Sequence, residues 1–174
     1  MSEVKENILR IRERIAAAAA RAGRDPPGGR LMGVRKTGGG DRVLQAIEAG
    51  IDIIGENYVQ EAKRKIELMG KSAEWHFIGH LQTNKAKYAV RLFDMIHSVN
   101  RMSLAEELNR RAAAAGVVLR VLIEVNLGGE ESKSGAPPEE AAALIRAVAQ
   151  MANLSIRGLM TMAPWYDDPE KARP

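Results

Sequence analysis

The chain alternates short apolar runs with amphipathic segments, and this alternation constrains its fold more than any other feature. The apolar runs are predicted to be strands, at residues 31–34, 51–54, 75–78, 95–99, 118–125 and 156–160. A segment with helical spacing separates each run from the next, which is the pattern of repeated strand–helix units around a parallel sheet. Right-handed crossovers curl such a sheet into a barrel or a doubly wound layer.

Several of the helical segments have recognisable ends. Helical spacing runs through residues 3–22 and stops at Gly23, and further helices are predicted at residues 59–69 and 84–92. Asp41 is predicted to cap a helix that Gly50 closes. Ser103 and Glu106 form a capping-box pattern before a helix at residues 104–115. The pair Pro137-Pro138 is predicted to open a helix that runs to residue 148.

Polar residues cluster just after successive predicted strands. They are Lys36, Glu56, Asn57, His80, Gln82, Asn84, Asn100, Arg101, Asn126 and Thr161. The carboxyl ends of parallel strands meet on one face, which is the catalytic face of a barrel. The chain has no Gly-x-Gly-x-x-Gly motif after the first strand, which argues against a dinucleotide-binding fold. We therefore predict an α/β fold of the TIM-type (β/α) barrel kind, as a single domain over residues 1–174.

Lys36 ends the first apolar run, and Thr37 separates it from Gly38-Gly39-Gly40. This position places the lysine at the mouth of the predicted barrel, where burial can free its amine to act as a nucleophile. Lys36 is therefore a candidate for forming a Schiff base. A solvated lysine at a strand end is the alternative, and it is the commoner behaviour of an isolated lysine.

Composition excludes several classes of function. The chain has 174 residues and no cysteine, which excludes disulfides, thiolate catalysis and cysteine metal sites and is typical of a reducing cytoplasm. It has no apolar segment of the ~18 residues that a membrane span needs, and no secretory signal pattern is visible. The net charge of +4 favours anionic ligands such as phosphates. Nucleic acid is the least favoured partner, because no recognition motif accompanies the basic residues.

Segments in several parts of the chain form a specific combination. They are Val34-Arg35-Lys36-Thr37, Gly55-Glu56-Asn57-Tyr58, Trp75-His76-Phe77-Ile78-Gly79-His80-Leu81-Gln82-Thr83-Asn84-Lys85, His97-Ser98-Val99, Val125-Asn126, Ser132-Lys133-Ser134-Gly135 and Arg157-Gly158-Leu159-Met160-Thr161-Met162. In this order and spacing they resemble the pyridoxal phosphate homeostasis proteins, which are single-domain barrels related to the N-terminal barrel of alanine racemase. The resemblance covers residues 3–174, and the stretch at residues 75–85 is its most specific part.

The resemblance implies a bound cofactor, pyridoxal 5′-phosphate (PLP), held as an internal aldimine on Lys36. It implies Asn57 near the ring face of PLP, His80 and Asn126 along the same end of the barrel, and Met160 beneath the cofactor. The implied function is PLP homeostasis, meaning storage, protection or delivery of the cofactor without turnover. Apo PLP-dependent enzymes are then possible partners of a cytoplasmic monomer that has no catalytic residue and no metal site.

Other interpretations of these residues and of the fold remain open. His76 fits a buried, hydrogen-bonded strand residue, and Glu56 fits a residue that orients Asn57 or a strand end. Lys133 fits a solvated loop lysine, or a transient contact for the cofactor. The methionines Met32, Met95, Met160 and Met162 fit core fillers. The alternative function is a fold-type III PLP-dependent amino-acid racemase, which needs a second acid/base from a separate domain.

The chain departs from the family pattern in three places. Arg35 stands where the family has a small residue, and Gly38–Gly40 replaces a more structured loop. The sequence ends at Pro174, whereas family members continue through another helix and two strands that supply phosphate contacts. We therefore expect about six of the eight barrel strands in this chain.

Overall fold

A computed structural model of the chain describes residues 2–24, 30–34, 40–128, 134–163 and 166–172. Lys36, Arg35 and Lys133 lie outside the described residues. By its internal contacts the chain divides into two compact units, Met1–His76 and Phe77–Pro174. Among the described residues, no helix combines the length and the apolar character that crossing a bilayer requires.

The first unit alternates helices with short parallel strands. Its elements are α1 (Glu3–Arg21), β1 (Met32–Val34), α2 (Asp41–Glu48), β2 (Ile53–Glu56), α3 (Val59–Met69) and, up to His76, β3 (Glu74–Phe77). The strand order is β1-β2-β3, and Met32 of β1 pairs with Ile53 of β2 in a parallel register. The buried apolar residues are Ile8, Val43, Ile51, Ile53, Ile54, Val59, Ala62 and Trp75. This unit therefore packs its helices against the sheet through a small core of aliphatic side chains and Trp75.

The second unit repeats the same alternation. A 3-10 turn (Thr83–Lys85) precedes α4 (Ala86–Leu92), β4 (Met95–Val99), α5 (Met102–Ala114), β5 (Leu119–Glu124), α6 (Pro138–Val148) and β6 (Leu154–Met160), and a second 3-10 turn spans Pro169–Ala172. The strands pair in parallel in the order β4-β5-β6, with Glu124 opposite Met160. The last residues of β5 and β6 are therefore paired, and the two strands end at the same height in the sheet.

Side-chain alternation along β5 gives its two faces different environments. Leu119, Val121 and Ile123 are buried on one face, while Arg120 and Leu122 are half-buried on the other. Leu104, Leu108 and other buried residues of α5 recur at helical spacing, as expected for a helix that covers one face of a sheet. Glu124 ends the half-buried face of β5 but is itself only 6% exposed.

The predicted order of strands and helices is confirmed, with shifts at individual ends. The second strand is Ile53–Glu56 rather than 51–54, because the backbone N–H of Ile51 still bonds to Ala46 O in the turn that closes α2. The helix predicted at 84–92 begins as the 3-10 turn and becomes α-helical at Ala86. Pro138 occupies the first turn of α6, as predicted.

Two predicted helix caps are wrong. Helix α5 begins at Met102 with Arg101 as its N-cap, so Ser103 and Glu106 lie inside the helix and form no capping box. Helix α2 begins at Asp41 itself, and its N-cap, Gly40, has no side chain with which to cap it. Asp41 still lies in the first turn, where a negative charge interacts favourably with the helix dipole.

Candidate cofactor-binding site

The predicted site residues lie at strand ends wherever the structure describes them. Asn57 follows β2 in the first unit and is half-buried. In the second unit His80 follows β3, Asn126 follows β5, and Met160 is the last residue of β6. His80 is exposed, whereas Asn126 and Met160 are half-buried. Lys36 lies outside the described residues, so its place in the site stays a prediction.

In the first unit, a buried ion pair fixes the strand end that precedes Asn57. Lys65 Nζ of α3 donates to Glu56 Oε1, the last residue of β2, at 2.5 Å, and the carboxylate of Glu61 lies 4.0 Å from the same nitrogen. Glu56 is 1% exposed and Lys65 is 7% exposed. Burial raises the pKa of the Glu56 carboxyl, and the bond from Lys65 opposes that shift. Glu56 thus ties β2 to α3, which supports its predicted structural role.

Lys65 was not predicted from the sequence. Its helical spacing from Val59 and Ala62 was the available signal, because all three residues share the buried face of α3. A lysine on the apolar face of a helix needs an acidic partner, since an unpaired buried charge is costly. Which carboxylate supplies it depends on the packing of α3 against β2, and local sequence does not reveal that packing.

In the second unit, His80 and Asn126 are linked to the same short segment, residues 134–136. His80 Nδ1 lies 3.2 Å from Ser134 Oγ. Asn126 N–H donates to Ala136 O at 2.9 Å, and Ala136 N–H donates to Glu124 O at 2.8 Å. Residues 134–136 therefore return to the end of β5, and Ser134 lies beside His80, which follows β3.

Gly135 makes this return possible. Its φ is +134°, and a Cβ atom at this position would lie 2.5 Å from the backbone nitrogen of Asn126. Such a contact is far inside van der Waals separation, and this backbone conformation is restricted to glycine. The close approach of Gly135 to Asn126 therefore depends on the missing side chain.

A second group of hydrogen bonds links the exits of β3, β4 and β5. Arg101, just after β4, donates to Asn100 Oδ1, to Leu81 O and to Thr83 Oγ1. Asn100 Nδ2 in turn donates to Glu124 Oε2 at 3.3 Å. Burial raises the pKa of the Glu124 carboxyl, and the bond from Asn100 acts in the opposite direction. The sequence identified Asn100 and Arg101 only as polar residues after a strand.

Other predicted residues have structural surroundings. His76 is buried, and its Nε2 lies 3.4 Å from Glu74 Oε2, which supports the interpretation of a hydrogen-bonded strand histidine. Met32, Met95 and Met160 are half-buried. The prediction that Met162 fills the core is wrong, because Met162 lies beyond the end of β6 and is 56% exposed.

The donor chemistry of the second unit fits the polar groups of PLP. Asn126 carries an amide, His80 an imidazole and Ser134 a hydroxyl, and all three can donate hydrogen bonds when uncharged. Phosphate, phenolic and aldehyde oxygens accept bonds from such groups. Among the residues that the structure describes, no cluster of three or more His, Cys, Asp or Glu side chains could hold a metal ion.

Comparison with known proteins identifies the family. A model described as alanine racemase, N-terminal domain, matches residues 7–173. The pyridoxal phosphate homeostasis protein of Aquifex aeolicus (strain VF5) is 42% identical over 170 residues, which are 97% of this chain and 75% of the relative. This chain belongs to the pyridoxal phosphate homeostasis protein family. The resemblance stated from the sequence motifs is therefore confirmed.

Solved structures of similar proteins confirm the fold. An unknown protein from Bifidobacterium adolescentis superposes with a TM-score of 0.92 at 35% identity, over 98% of this chain and 74% of that chain. The PLP-bound structure of PipY from Synechococcus elongatus PCC7942 superposes with a TM-score of 0.77 at 34% identity, over 90% of this chain and 74% of PipY. The homeostasis family chain thus has the predicted alanine racemase N-terminal-like α/β fold and spans about three quarters of these relatives.

Proposed function

We propose that this protein binds PLP and serves in PLP homeostasis, by storing, protecting or delivering the cofactor. The observation that carries the proposal is the PLP-bound structure of PipY, which matches 90% of this chain at 34% identity. The name of the Aquifex relative, at 42% identity, supports the same function. These names favour homeostasis over the alternative of an amino-acid racemase.

The proposed cofactor residues are Lys36, Asn57, His80, Asn126 and Met160. Lys36 is the proposed covalent attachment point, because it carries a primary amine and comes in the sequence two residues after Val34, the last residue of β1. Asn57, His80 and Asn126 are proposed to bind the polar groups of the cofactor, and Met160 to pack against its ring. When bound, PLP supplies an electrophilic aldehyde that condenses with primary amines.

The proposed role needs no turnover. A protein that holds a reactive aldehyde on one lysine keeps it from other amines and releases it to apo PLP-dependent enzymes, which are the proposed partners. The proposed state is a monomer. The proposed location is the cytoplasm, where newly made apo enzymes need the cofactor.

Attachment of PLP to Lys36 is tested by titrating the purified chain with PLP, reducing with borohydride and mapping the modified residue by mass spectrometry. We expect one label per chain, on Lys36, and we expect Lys36→Ala to abolish the absorption band of the lysine adduct. Lys63→Ala is the matched control, because Lys63 is an exposed lysine whose ion pair with Glu67 is 3.7 Å long. An unchanged adduct in Lys36→Ala would overturn the assignment.

Absence of turnover is tested separately, on chain loaded with PLP. We expect no racemisation of L-alanine or L-serine, and we expect cofactor transfer to restore the activity of an added apo PLP-dependent enzyme. Steady racemisation by the wild type, lost in Lys36→Ala, would contradict a carrier function and establish the racemase alternative.

A further inference from the structure

Arg101 sits at the junction of three strand exits in the second unit. It is the N-cap of α5, and its backbone is extended, with φ −158° and ψ 153°. Its guanidinium donates from Nη1 to Asn100 Oδ1 at 2.8 Å, and from Nη2 to Leu81 O at 3.1 Å and Thr83 Oγ1 at 3.2 Å. These bonds join the segment after β3 to the segment after β4.

The three acceptors of Arg101 among the described residues are all uncharged oxygens. What selects arginine here is therefore the geometry of its planar fork, which reaches several acceptors at once, rather than charge neutralisation. A lysine at this position would keep the positive charge but would present a single nitrogen on a flexible stem. This difference separates a geometric role of Arg101 from an electrostatic one.

Asn100 anchors the guanidinium to β5. Because Asn100 Oδ1 accepts from Arg101, its amide nitrogen faces Glu124, and Nδ2 donates to Glu124 Oε2 at 3.3 Å. Glu124 is 6% exposed and lies at the end of β5, so it gives the amide a fixed acceptor. We call Arg101, Asn100 and Glu124, with the Leu81 carbonyl and the Thr83 hydroxyl, the Arg101 network.

The segment that Arg101 holds carries His80. His80 is exposed, so side-chain packing does little to fix its ring, while the adjacent Leu81 is 1% exposed and its carbonyl is bonded to Arg101. His80 Nδ1 also contacts Ser134 Oγ, in the segment that returns to Asn126. The position of the imidazole therefore depends on the backbone at residues 80–83.

We propose that Arg101 is a positioning residue for the cofactor site, acting through residues 80–83 rather than by touching PLP. It holds His80 beside Ser134 and the segment that returns to Asn126, so that both predicted site residues face the ligand in a fixed arrangement. The cofactor part of this inference rests on the proposed function. The positioning of His80 is independent of it.

The experiment compares Arg101→Ala and Arg101→Lys with Arg110→Ala. Arg110 is the matched control, because it lies on the same helix, is 60% exposed and bonds only to Glu107 in the described structure. Amide hydrogen exchange and the imidazole ¹⁵N shifts of His80 are measured without PLP, and PLP affinity is measured by titration. Adding guanidinium at low, non-denaturing concentration to Arg101→Ala tests for rescue.

For both Arg101 variants we expect amide exchange at residues 81–85 to accelerate about tenfold, as for the loss of charge-assisted hydrogen bonds. We also expect a shifted His80 resonance and PLP affinity about tenfold weaker. Guanidinium should restore the His80 resonance and the affinity of Arg101→Ala, while Arg110→Ala should match the wild type. A purely stabilising residue would lower Tm without a His80-specific shift that guanidinium rescues.

Each outcome bears on one proposal. Failure of the wild type to bind PLP removes the proposed function, while the exchange and His80 measurements still test the positioning role. Unchanged exchange and an unmoved His80 in Arg101→Ala would overturn that role, as would wild-type PLP affinity despite faster exchange. If both Arg101 variants unfold, Thr83→Val removes one acceptor, and we expect smaller changes in the same directions; wild-type behaviour of Thr83→Val would then overturn the inference.

Discussion

At the scale of single residues, Gly135 is the position where one added carbon has the clearest consequence. A Cβ atom there would meet the nitrogen of Asn126 at 2.5 Å and the carbonyl carbon of Val125 at 2.7 Å, both in the backbone. Backbone atoms cannot turn aside as a side chain can, so Gly135→Ala must separate residues 134–136 from the end of β5. We expect a loss of about 3 kcal/mol in unfolding free energy and a displaced amide resonance of Asn126.

Gly116→Ala is the control for this prediction. Gly116 also has a positive φ, of +68°, but a Cβ there would meet nothing within 4 Å. Gly116→Ala therefore lowers the unfolding free energy only by the cost of a positive φ for alanine, which is about 1 kcal/mol. Urea unfolding of both variants measures their losses of unfolding free energy, and the difference between the two losses is the cost of the close contact at Gly135. Equal losses would show that only the backbone angle requires glycine at position 135.

At the scale of secondary-structure elements, the Glu56–Lys65 ion pair between β2 and α3 gives the second prediction. Lys65→Met leaves Glu56 buried without its cation, and breaking such a pair costs about 3 kcal/mol at neutral pH. The pKa of Glu56 is raised from 4.5 by burial, so its proton binds more tightly in the folded state. The contribution of the Glu56 carboxyl to the free energy of unfolding is thus fully present below pH 4.5. It is lost as the pH rises through the raised pKa of Glu56.

Removing Lys65 raises the pKa of Glu56 further, since the bond from Lys65 opposes the effect of burial. We therefore expect the stability loss of Lys65→Met to grow with pH and to shrink in acid, where Glu56 is neutral. Denaturant unfolding across the pH range measures this dependence. Lys63→Met, on the exposed face of α3, should change stability by less than about 0.5 kcal/mol. A pH-independent loss, or one that Glu56→Gln does not relieve, would refute this account.

The elements themselves were largely predictable, because their signals are local. Apolar periodicity predicted the strands and helices, and Pro138 marked the start of α6. The start of α5 was missed because Ser103 and Glu106 match the capping pattern, whereas Arg101 is held by Leu81 O, from 20 residues earlier in the chain. A contact of this kind overrides a local capping preference and leaves no trace in the local sequence.

At the scale of the whole molecule, the alternation of strands and helices predicted the fold, and the combined motifs, of which residues 75–85 are the most specific, predicted the family. The polar residues after each strand were likewise predictable, because parallel strands place their carboxyl ends on one face. What holds those residues was not predictable: the Ser134 partner of His80 lies 54 residues away, and the Lys65 partner of Glu56 lies on another element. The attachment at Lys36 and the single-domain boundaries stay predictions.

Cofactor binding by the whole chain makes a thermodynamic prediction that does not depend on any site assignment. A ligand that binds only the folded state stabilises it by about 2.7 kcal/mol at a free concentration 100 times its Kd, which raises Tm by about 5–10 °C for a chain of this size. We expect PLP to produce this shift in a thermal scan. Pyridoxamine 5′-phosphate shares the ring and phosphate but has no aldehyde, so its shift should be much smaller. Equal Tm shifts with the two ligands would mean that the phosphate and ring, rather than a bond to a lysine, supply the binding energy. No Tm shift with PLP would mean that this chain does not bind the cofactor in its folded state.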